Sequence, residues 1–132
     1  MTQQSFYIDE YDWYVTVCYG VTCDDVKKVL EILNFFEIDE SLQLKVEGIL
    51  GKCLPNVGFT YTNVFLRETL VVIGYTASFD EFLNTLAHEN MHCVMHITDS
   101  NGVSPYSEKP CYLLGDLIQS EADIIKNFIC DR

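Results

Sequence analysis

His88, Glu89 and His92 stand in the run Thr85-Leu86-Ala87-His88-Glu89-Asn90-Met91-His92-Cys93-Val94. If that run is helical, His88 and His92 lie one turn apart on the same face. Two imidazoles at that spacing can grip one Zn²⁺, and Glu89 beside the first can reach a water held on the ion as a general base. Composition alone seldom produces two histidines flanking a glutamate in this register, so the pattern is read as a metal site.

A catalytic zinc needs a third protein ligand and one open position. His96 continues the ladder, but from His88 to His96 a helix rises ~12 Å, and zinc–nitrogen bonds are only about 2 Å. His96 is therefore expected beside the site or at a helix end, not on the ion. Glu108 is the first choice, because it follows the Asn101-Gly102 turn and opens the last helix, from where it can fold back over the metal helix. Cys111 is the alternative and Asp99 a further one. Cys93 adjoins His92 but points to another helix face, so it is expected to pack.

The elements that must position these groups can be read from periodicity. Trp13 to Val21 is rich in β-branched and aromatic residues and reads as a strand. Thr22, with Asp25 three residues on, caps a helix whose Val26, Val29, Leu30, Leu33 and Phe36 share a face. Ser41 to Gly51 reads as a second, shorter helix. Phe59 to Phe65 and Thr69 to Tyr75 read as two strands joined through Leu66-Arg67-Glu68 as a hairpin. The continuously apolar Leu70-Val71-Val72-Ile73 predicts burial on both faces. Ser78 and Glu81 form a capping box for the motif helix, whose apolar side is Phe79, Phe82, Leu83, Leu86, Met91 and Val94. Ser107 caps a last helix running to about Ile129, with Tyr112, Leu113, Leu117, Ile118, Ile124, Ile125 and Phe128 as its core face. The order is α+β, a small sheet backed by helices, in one domain spanning residues 1–132.

Composition narrows the functions available. A net charge of −12 on 132 residues argues against a nucleic-acid partner, which needs clustered Lys and Arg. No apolar run approaches the ~20 residues of a membrane span. The polar, acid-ended start from Met1 to Asp9 has no secretory pattern, so a cytoplasmic protein is expected. The six cysteines are then expected as free, buried small residues, not as disulfides.

The run Thr85 to Val94 resembles the extended signature of the zincin metallopeptidases: Thr first, uncharged residues between, H-E-x-x-H, then a hydrophobe. A fainter likeness covers the second half. A strand pair, a Ser78-capped motif helix, and Ser107-Glu108 before Tyr112-Leu113-Leu114-Gly115 are similar to small zincin-like proteins of phages and mobile elements. The pattern including His96 is also similar to metallopeptidases that act on phage repressors. The metzincin Gly and third His are missing.

This likeness implies a zincin-like fold, with a small antiparallel or mixed sheet packed by the motif helix and a C-terminal helix. It implies Zn²⁺ on His88, His92 and Glu108, with Glu89 as base in the hydrolysis of a peptide or protein substrate. It also implies a donor to the developing oxyanion, for which Tyr112 is the first candidate and Tyr106 and His96 are others. An edge strand, Phe59 to Phe65 or Thr69 to Tyr75, would receive extended substrate. The alternative is a zinc-containing binding or regulatory protein on the same scaffold, with little or no catalysis.

Overall fold

The computed structural model describes residues 1–130. Strand β1 is Thr2–Ile8, and a 3₁₀ turn at Asp9–Tyr11 leads to β2, Trp13–Val21. A second 3₁₀ turn at Cys23–Asp25 opens α1, Val26–Asn34, followed by α2, Glu40–Leu50. The hairpin strands are β3, Gly58–Asn63, and β4, Glu68–Gly74. Helix α3 is Phe79–Ser100, α4 is Glu108–Ser120 and α5 is Ala122–Cys130. No helix among the described residues is long and apolar enough to cross a membrane.

The sheet is mixed, in the order β1-β2-β4-β3. β2 and β4 are parallel, and each outer strand is antiparallel to its neighbour. The parallel pair needs a long crossover, and α1, α2 and β3 lie within it. Alternation along β2 sends Trp13, Val15, Val17 and Tyr19 to one face with Val71 and Ile73 of β4. There they meet Phe82, Leu86, Cys93 and Ile97 of α3 and Leu113 and Leu117 of α4. The opposite face carries Cys18, Val21, Leu70 and Val72 against Val29 and Leu33 of α1 and Val46 and Leu50 of α2. The result is three layers, α1–α2, sheet, and α3–α4–α5. Leu70 to Ile73 are fully buried, as the unbroken apolar run predicts.

Two of the three caps expected from the sequence form, whereas Ser107 makes no cap bond to α4 and its hydroxyl donates instead to the Ser104 carbonyl oxygen at 2.7 Å. Ser78 Oγ accepts from the Glu81 N–H at 3.2 Å, and the Thr22 N–H donates to Asp25 Oδ2 at 2.9 Å.

Four features depart from the sequence reading. β1 is a strand that composition hides, because only Gln4, Phe6 and Ile8 of its seven residues turn inward. The last helix is two, interrupted at Glu121, whose side chain is drawn into the core. Leu83, Met91, Tyr112 and Ile118 are exposed and not part of the core, since each apolar stripe is narrower than its sequence pattern. Finally, Cys23 and Cys53 form a disulfide. The crossover brings their Cα atoms to 4.9 Å, within bonding range, although they lie 30 residues apart in sequence. Cys18, Cys93 and Cys111 are free; the side chain of Cys130 lies outside the described residues. Disulfides persist in oxidising surroundings, so the cysteines lend no support to a cytosolic compartment.

Candidate metal centre

The motif falls in the middle of α3, a helix long enough to hold both histidines in rigid register. His88 Nε2 and His92 Nε2 lie 3.2 Å apart, with ring centroids at 4.8 Å. One ligand atom from each of His88, Glu89 and His92 fits within a 4.8 Å span. Among the described residues this is the one group of His, Cys, Asp or Glu side chains so gathered. Both imidazoles are exposed and Glu89 is buried, so the carboxylate lies inward beneath an open nitrogen pair.

Edge strand β3 sets that carboxylate. Thr60 Oγ1 lies 3.1 Å from the Glu89 carbonyl oxygen and 3.3 Å from its Oε1, so one hydroxyl holds backbone and side chain together. Helix and strand approach closely because position 58 is glycine: a Cβ there would meet Glu89 Cγ and Thr85 Cγ2, each at 3.1 Å. An open groove of about 420 Å³ runs beside His88 and Glu89, bounded by Asn84 and Thr85 on α3 and by Ile49, Asn56 and Val57 opposite. A larger cavity, about 530 Å³, is lined by Tyr19, Tyr75, Phe82 and Phe128. It contains no histidine or acid, so the chemistry belongs to the smaller groove.

His96 lies on the β3 side of the same helix and is not part of the triad. Its Nδ1 is 2.9 Å from Thr62 Oγ1. Thr62 continues to Thr69 Oγ1 at 2.8 Å, which accepts from Trp13 Nε1–H at 2.9 Å. Burial and the neighbouring His92 hold the His96 imidazole below its ordinary pKa, against the pull of Asp99. Cys93 is fully buried, and burial pushes its thiol up to about 12; it packs, as its helix face predicts.

The structure does not bring Glu108 to the pair. α4 is fastened beside the motif by its C-terminal end, where Asn90 Nδ2–H donates to Glu121 Oε2 at 2.8 Å. Thirteen residues of helix carry Glu108 about 20 Å from that anchor. At ~100° per residue, Asn90 also lies on nearly the opposite flank of α3 from the line of His88 and His92. Glu108, Tyr112 and Tyr106 are exposed; neither Cys111 nor Asp99 joins the group. Thr60, which sequence reasoning passed over, is part of the site, and its one sequence signal is the inward alternation of β3.

Comparison with protein-family models, with curated proteins and with solved structures gives no match.

Proposed function

We propose that this chain is a zinc-dependent peptide-bond hydrolase with a zincin-like site on α3. The observation that carries the reading is the 3.2 Å separation of the two Nε2 atoms. Two corners of a tetrahedron with zinc–nitrogen bonds of ~2.05 Å are ~3.3 Å apart. The separation of the two nitrogens therefore suits one Zn²⁺, which His88 and His92 would hold. Bound there, the metal would supply Lewis acidity toward a carbonyl oxygen and acidify a water molecule. Glu89, held by Thr60, takes the proton from the attacking water and returns it to the leaving amine.

Extended substrate would align along β3. That strand is the sheet edge, whereas β4 is paired on both sides and is excluded. The Gly74 N–H donates to the Val57 carbonyl. Alternation from that bond turns the backbone groups of Gly58, Thr60 and Thr62 to the free edge, beside the groove. Strand addition there would carry a peptide past His88 and Glu89.

One observation favours a second reading, a zinc-containing binding or regulatory protein: among the described residues, only Glu89 joins the histidines within reach as a ligand. Metal analysis of untagged protein, with cleavage of unfolded casein, separates the two. The hydrolase reading expects about one zinc per chain, lost in His88→Ala and His92→Ala. It also expects Glu89→Gln to retain zinc while cleavage falls at least ~100-fold. Zinc without cleavage by the wild type favours the binding reading, and metal-free wild type overturns both.

A further inference from the structure

Glu121 has no solvent exposure and sits at the break between α4 and α5. Its Oε2 accepts from Asn90 Nδ2–H. Its Oε1 and Asn90 Oδ1 are both buried and without a partner among the described residues. A carboxylate and an amide oxygen are acceptors only, so an ionised Glu121 leaves two buried acceptors without a donor. A carboxylic acid has one donor, so a proton on Oε1 offered to Asn90 Oδ1 would leave neither atom stranded. We propose that Glu121 is held as a neutral carboxylic acid, paired with the Asn90 carboxamide through two hydrogen bonds, and that this pair is a pH-sensitive clamp between α4–α5 and the motif turn of α3.

The surroundings offer no other donor of comparable strength. From β2, Tyr19 faces Glu121 closely enough to feel its charge, but its hydroxyl donates to Gln4 Oε1 at 2.9 Å. From α3, Cys93 feels the same charge and is a weak donor with a strongly raised thiol pKa. Among the described residues, no cation contributes to the Glu121 environment. Burial pushes its carboxyl up to about 7, with Asn90 pulling the other way.

The sign follows from linkage. The folded carboxyl titrates above its ordinary 4.5, so the clamp is at full strength below 4.5 and is lost as pH rises through about 7. Asn90 follows His88 by two residues and lies on nearly the opposite flank of α3, so the clamp fastens the back of the turn that carries the histidines. The clamp goes beyond the hydrolase reading and does not depend on it.

Denaturant unfolding of the wild type and Glu121→Gln from pH 4 to 9 tests the clamp. Glutamine supplies the missing donor without a titrating proton, and the histidines cancel in the difference. The wild-type folding constant is expected to fall about tenfold per pH unit relative to Glu121→Gln between 4.5 and 7, ~300-fold in all. Amide protection factors in α4–α5, which exclude the intrinsic rise of exchange with pH, should fall over the same range in the wild type alone. Parallel pH curves overturn the proposal. Should Glu121→Gln fail to fold, the ¹³C carboxyl shift of Glu121 in the wild type decides: a midpoint near 7 supports the clamp, and one at or below 4.5 overturns it.

Discussion

At the scale of residues, the half of the site that is local in sequence was legible and the half that depends on docking was not. An i, i+4 relation needs only a helix, and Ser78 guarantees one, so His88 and His92 meet as expected. A third ligand depends on which end of a later helix lies against the motif. Here Asn90 receives Glu121 from the C-terminal end of α4, and no periodicity in the chain encodes that choice. Glu121 itself was invisible, because an acid inside a helical stretch reads as solvated surface. Gly58 was silent and Thr60 was marked only by the alternation of β3, since their roles arise from the contact of β3 with α3. That contact is testable. Gly58→Ala would drive a Cβ into Glu89 Cγ, Thr85 Cγ2 and the Val72 carbonyl, the last at 2.9 Å. It is expected to cost about 1–3 kcal/mol of stability and to shift the Glu89 side chain, read by denaturant unfolding and by the NMR shifts of His88 and His92. An unfolding midpoint equal to the wild type's would mean that helix and strand are not in that contact. Thr60→Val removes a hydroxyl of similar volume; with its Glu89 bonds gone, about 1 kcal/mol is expected to be lost. Zinc binding through the histidines should survive that change.

At the scale of elements, strands with both faces buried announced themselves and the half-polar strand did not. β2 and β4 owe their burial to runs of β-branched and aromatic residues that suit a pleated sheet. β1 has the polar face of an outer strand, so Phe6 and Ile8 are too few to mark it among polar neighbours. The start of α3 and the turn before α1 were legible because caps are local chemistry, whereas α2 is capped by Asp39 and Ser107 makes no cap bond to α4. The α4–α5 break was not, because the residue at it, Glu121, is a buried acid that the sequence reads as solvated helix surface. The cap of α3 matters most, since this helix carries the histidines and spans 22 residues. Ser78→Ala removes the acceptor for the Glu81 N–H and should cost about 1 kcal/mol, seen as a lower unfolding midpoint. Its effect on zinc affinity should be small, because His88 lies more than two turns from the cap and fraying fades within the first turn.

At the scale of the whole molecule, the two helical layers are held to the sheet differently. The α3–α4–α5 layer buries a broad aromatic and aliphatic core that includes Trp13 and Ile97. The α1–α2 layer rests on a smaller core and is additionally tied by Cys23–Cys53. That bond joins the turn before α1 to the loop after α2, and the same loop continues through Asn56 and Val57 into the wall of the groove beside His88. Closing a loop of 30 residues restricts the unfolded chain by about 3–4 kcal/mol on the chain-entropy account. Reduction, or Cys23→Ser with Cys53→Ser, is therefore expected to lower stability by that order, measured by urea unfolding with and without a dithiol. Loss should be local first: amide exchange in α1, α2 and residues 51–57 should accelerate while the Leu86 to Ile97 stretch of α3 stays protected. Uniform acceleration across both layers would mean that the molecule unfolds as one unit, and that the disulfide acts on the whole chain and not on the layer it closes.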